Sequence, residues 1–174
     1  MLIKLILATP WLIWLSVSDC KRRELPNWLT LGGACVMGGA SLAGGADYFL
    51  GSLVTAFLAS LFLLLPFFLR AAGAGDVKML FAAGFTAGPG NTLNLILLVS
   101  AAGLILAAVM LLFKRVNPAR LKHYFRCLFD VRYDRSAGRA SLPPPDTEAC
   151  RVPFGAAIAA GLWVNLLLQT VYLW

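Results

Sequence analysis

Histidine is almost missing from this chain: His123 is the only one in 174 residues. A histidine-based metal cluster is thereby excluded, and a serine triad would have a single base to draw on. Charge is scarce as well. Asp, Glu, Lys and Arg make up 13% of the residues, against about 25% in a typical soluble domain. With 60% hydrophobic residues and a mean hydropathy of +0.79, this is not a soluble composition. The four cysteines, Cys20, Cys35, Cys127 and Cys150, show no C-x-x-C spacing, so neither a disulfide framework nor a zinc site is indicated. No H-E-x-x-H, P-loop or Rossmann pattern occurs. No metal and no cofactor is expected.

What the chain does have is a series of apolar runs. Met1 to Ser18 reads as a retained first membrane helix, with Lys4 as its only charge and no A-x-A-like site before Asp19. Trp28 to Ala46 is a glycine-rich second run, suited to close helix packing in lipid. Asp47 marks a turn, and Leu50 to Leu69 is the third run, with Pro66 near its end. The fourth, from about Ala74 to Pro89, is short for a hydrocarbon core about 30 Å thick. Thr92 to Phe113 is the fifth and Val152 to Trp174 the sixth. The expected fold is an all-α polytopic membrane protein of about six transmembrane helices, one membrane-embedded domain over 1–174.

The net charge of +7 fits membrane topology better than nucleic-acid binding. The polar breaks at 19–27, 70–78 and 114–151 hold fourteen of the fifteen Lys and Arg residues, and the breaks at 46–49 and 88–92 hold none. Alternation of this kind assigns the three basic breaks to the cytoplasm and both termini to the other side. The longest break, 114–151, reads as a basic cytoplasmic loop whose segment 121–131 suits an amphipathic helix lying on the membrane surface.

Two acids stand out. Asp19 follows the first run, and Asp76 follows two glycines in Gly73-Ala74-Gly75-Asp76. An acid at the edge of a membrane segment is costly unless it is paired, hydrated or chemically used. Two crossings separate the acids, which returns the chain to the same face. Two carboxylates sharing a proton can activate a water, one as base and one as acid. Asp19 falls at a helix C-terminus and Asp76 at a helix N-terminus, so the helix dipoles make Asp76 the expected first to ionise. The plain alternatives are an interface acid beside Lys21, Arg22 and Arg23, and a helix-capping acid near Lys78. Such surface pairs are worth little. A non-catalytic membrane subunit or small ion-coupled transporter is the competing function.

Three motifs together resemble the type IV prepilin peptidases. Gly73-Ala74-Gly75-Asp76 matches the G-x-G-D motif of membrane aspartic peptidases. Asp19, followed by Lys21, Arg22, Arg23, Glu24, Leu25, Pro26 and Asn27, resembles the first-aspartate element of that family, and Pro153-Phe154-Gly155 resembles the element opening its last helix. The resemblance implies an aspartic endopeptidase with Asp19 and Asp76 catalytic. It would remove the leader of prepilins or pseudopilins at the cytoplasmic face of the bacterial inner membrane. Gly73, Gly75, Pro153, Phe154 and Gly155 would position backbone or substrate, with Lys78, Glu24, Pro26 and Asn27 secondary. Lipids and the pilus assembly machinery are the implied partners. The chain resembles the short, peptidase-only forms serving Flp-type pili, which lack the zinc-binding cysteine region, so N-methylation of the product is not expected. Departures from the family pattern are Ala156-Ala157 after Pro-Phe-Gly, where many relatives have another proline, and the long basic loop.

Overall fold

A computed structural model describes residues 2–22, 26–68, 72–113 and 153–172. Six helices occupy nearly all of them: α1 (Leu2–Arg22), α2 (Asn27–Leu42), α3 (Ala46–Phe68), α4 (Ala74–Ala87), α5 (Thr92–Leu112) and α6 (Phe154–Tyr172). Among the described residues there is no strand. The loop assigned to 114–151, its surface helix, His123, Cys127, Cys150 and Glu24 lie outside them.

Among the described residues three helices are long and apolar enough to cross a membrane: α3, α5 and α6, the last over Phe154–Val171, with mean hydropathies of 2.2, 2.9 and 1.6. The α4 helix has 14 residues, about 21 Å of rise. Two boundaries differ from the sequence reading. First, α1 runs through Asp19 to Arg22, so the acid lies in its last turn and a half rather than ending it. Second, α3 begins at Ala46, which puts Asp47 in its first turn. There the helix dipole favours a carboxylate, and the reversal falls one step earlier, over 43–45.

Pro10 lies inside α1 and has no N–H for the Ile6 carbonyl one turn earlier. Beside it, Thr9 Oγ1 donates back to the Leu5 carbonyl at 2.6 Å.

Small residues set the helix crossings. A Cβ added at Gly84 would fall 2.3 Å from Ala56 Cα, so the α4 backbone lies directly on α3. A Cβ at Gly161 would fall 2.7 Å from Val99 Cα, which brings α6 equally close to α5. The Trp11 ring of α1 covers Gly33 of α2, and its Nε1 donates to the Leu29 carbonyl at 3.0 Å. Gly32 and Gly39, on the same glycine-rich helix, meet nothing within 4 Å. Only part of that glycine pattern is therefore contact surface.

The core is continuous across five helices: Leu12 and Leu15 of α1, Leu63 of α3, Met79 and Leu80 of α4, Leu95 and Val99 of α5, and Ile158 and Leu162 of α6 are all buried together. The α4 helix packs on α2, α3 and α6, while α6 packs on α1, α4 and α5. These two helices form the centre. Outward lie large apolar side chains such as Phe57, Leu93, Leu104 and Leu112, each well exposed. Such a surface fits hydrocarbon rather than water.

If backbone contact sets the α3–α4 crossing, Gly84→Ala lowers the thermal stability of the purified protein in detergent by about 1–3 kcal/mol. Gly32→Ala, which adds its methyl into open space, leaves stability unchanged or raises it by about 0.5–1 kcal/mol through helix propensity.

Candidate active site

The hydrogen bonds between helix ends fix which ends lie together. Near the C-terminus of α1, Asp19 Oδ2 accepts the Ala156 backbone N–H from the first turn of α6 at 3.1 Å. At the start of α2, Asn27 Oδ1 accepts from Lys78 Nζ, in the first turns of α4, at 2.8 Å. At the far end, Gln169 near the C-terminus of α6 reaches the last carbonyl of α4. So α4 and α6 run parallel, and Asp19 and Asp76 stand at the same end of the bundle.

Asp19 is 6% exposed. A buried carboxylate needs strong partners, and the α6 N-terminus supplies an N–H and the positive end of its dipole. The local sequence explains why α6 starts there. Pro153 stands immediately before the helix. Phe154 then packs against Gly103 of α5, where a Cβ would meet its ring at 2.9 Å. Gly155 is buried, and Ala156 follows with its N–H aimed at Asp19. In this structure the Pro-Phe-Gly element anchors the end of α6 against α5.

Asp76 occupies the third position of α4, and its Oδ2 accepts the Gly73 N–H at 2.9 Å. This is the acidic half of a capping box. Gly73 has no side chain to complete it, and a Cβ there would press to 3.4 Å from that oxygen. Gly75 is half-buried in the same turn. Both acids therefore sit on N-terminal helix amides. The one-sided dipole basis for Asp76 ionising first is gone, because Asp19 also gains a helix N-terminus from outside its own helix.

Of the secondary residues, Lys78 and Asn27 are brought together as described. The Pro26 carbonyl accepts from Leu29 and Thr30 N–H at 3.0 and 3.2 Å and so opens α2. A cavity of about 320 Å³ lies beside this end, lined by Trp14, Val17, Ser18, Lys21, Pro26 and Trp28. The two indoles meet edge to face at 6.2 Å. At the opposite end Lys4 Nζ donates to Tyr48 Oη at 2.6 Å, which gives the one base outside the three basic breaks a local partner. Among the described residues no group of three or more His, Cys, Asp or Glu is placed to hold a metal.

The fold and site define a helical membrane protein that places two aspartates, one of them buried, at one end of its bundle. Residues 6–108 match the type IV leader peptidase family, and the chain belongs to that family. The match takes in Asp19 and Asp76 and stops before α6, so the helix that holds Asp19 lies beyond it. Neither the curated proteins nor the solved structures yield a match.

Sequence reasoning missed the Ala156 N–H, since a backbone donor 137 residues from Asp19 leaves no local signal. If that bond holds the acid, Asp19→Leu lowers stability in detergent by about 1.5–3 kcal/mol. Asp19→Asn keeps an oxygen for Ala156 and loses less, as thermal unfolding of the two variants would show.

Proposed function

We propose that this protein is an aspartic endopeptidase that removes the leader of prepilins or pseudopilins at the cytoplasmic face of the bacterial inner membrane. The observation that carries the reading is the placement of the two acids at one end of the bundle, each on a helix N-terminus, in a chain of the type IV leader peptidase family. In this reading all six helices lie in the membrane, with α4 too short for a full crossing and both termini on the non-cytoplasmic side. The basic breaks at the Asp19 and Asp76 end support that orientation.

Asp19 and Asp76 act as a pair that carries one proton between them. The ionised member takes a proton from water as the water attacks the scissile carbonyl. The protonated member donates its proton to the carbonyl oxygen; the member that took the water's proton then passes it to the leaving amine, and the first recovers its proton as the tetrahedral intermediate collapses to the acid. Gly73 and Gly75 leave the backbone before Asp76 open to an extended substrate. The Trp14–Trp28 cavity beside Asp19 is the opening through which the substrate's apolar segment approaches. Lys78 and Asn27 hold the α2 and α4 starts together, and Glu24 or anionic lipid meets the basic leader. The substrate class is the Flp-type prepilin, and leader removal is the step these two acids account for.

Co-expression of a candidate prepilin with the wild-type chain, Asp19→Asn and Asp76→Asn tests this directly. Leader removal by the wild type, with each variant slower by about 10²-fold or more, is the expected outcome. Full cleavage by either variant refutes the pair.

A further inference from the structure

The far end of the bundle carries a polar contact that the proposed chemistry does not use. Gln169, near the C-terminus of α6, donates through Nε2 to the Ala87 carbonyl at 3.0 Å and to Asn165 Oδ1 at 2.6 Å. Ala87 is the last residue of α4 and fully buried; Asn165 is 2% exposed. The Ala87 carbonyl only accepts, so the amide must present its NH2 side there.

The need for this contact follows from the length of α4. A helix of 14 residues that starts at one face stops inside the hydrocarbon rather than at the other face. Its last carbonyls then have no water to turn to and need donors from the protein. Asn91 Nδ2 supplies one to Ala87 at 3.0 Å from the following turn. Gln169 supplies the other from a different helix, 82 residues away. Its own Oε1 is buried and has no hydrogen-bond partner among the described residues. An amide left half satisfied in an apolar run is a costly choice for stability alone.

The consequence reaches the other end. The first turn of α6 holds Asp19 through Ala156, and its last turns hold α4 through Gln169. Between Ala156 and Gln169 lies roughly 20 Å of α6, and between Asp76 and Ala87 roughly 17 Å of α4. The α6 helix thus spans the distance between the two fixings. We propose that Gln169 is a positioning residue for the two acids: by tying the end of α4 to α6 it sets the axial register of α4, and so the depth of Asp76 relative to Asp19. The functional part of this proposal rests on Asp19 and Asp76 being the acting pair; the register part does not.

Both parts can be read separately in one set of proteins. In a background with all four cysteines replaced by serine, spin labels are placed at the exposed positions Ala74 of α4 and Ala160 of α6. Electron-resonance distances are recorded in proteoliposomes with Gln169 intact and with Gln169→Leu. The expected result is a distance that moves or broadens by about one helical rise, 1.5 Å, or more. Prepilin cleavage by Gln169→Leu in the native-cysteine background is expected to fall roughly 10- to 100-fold in kcat, with KM changed less than about threefold. Should the leucine variant fail to fold, Gln169→Asn, one methylene short of the Ala87 carbonyl, carries the same expectations. An unchanged distance overturns the register. A shifted distance with unchanged kcat overturns the positioning role. If the wild type cleaves no prepilin, the peptidase reading and the positioning role fail together, while a shifted distance still upholds the register.

Discussion

The arrangement of the helices turns on one partly buried hydrogen bond, from the Ala156 N–H to Asp19 Oδ2. A carboxylate that is 6% exposed is costly to place in a chain this poor in charge. Removing it from water costs several kcal/mol. A helix N-terminus can offset much of that, because its first amides have no partners of their own and its dipole favours an anion. The position of α6 follows from this requirement. Pro153 stands before it, Phe154 seats it against α5 at Gly103, and the Gly161–Val99 contact holds the two helices together further along.

With α6 fixed, the remaining arrangement has little freedom. The α4 helix lies between α6 and α3, pressed to the latter at Gly84. Its first turn carries Asp76 on the Gly73 amide and Lys78 on Asn27. In the proposed mechanism the two acids do different work, one protonated and one ionised. The amide on Asp19 brings it toward the setting that Asp76 receives from its own helix.

Much of this was legible in the sequence, and the exceptions have physical reasons. Hydropathy marks where a helix is, because crossing lipid demands a long apolar run, and the elements begin and end close to where those runs do. It marks helix ends less well. Asp19 and Lys21 are polar, yet backbone bonding carries α1 to Arg22. Asp47 is polar because it begins a helix, not because it interrupts one. Glycine content suggested packing on α2, but contact is made at Gly33 and not at Gly32 or Gly39, a distinction of helix face that composition does not carry. The acids were visible because carboxylates are rare here. Their partners were not: the Ala156 amide is identical in sequence terms to any other, and Gln169 is one amide in an apolar run.

The central claim is that Asp19 and Asp76 are close enough to share a proton. Solid-state carbon-13 NMR of the aspartate carboxyl groups, assigned by substitution, measures their separation without any substrate. Two carboxyls interact strongly enough to share a proton only within about 6 Å. A carboxyl-to-carboxyl distance between Asp19 and Asp76 of about 6 Å or less is the expected result. A longer separation would contradict it.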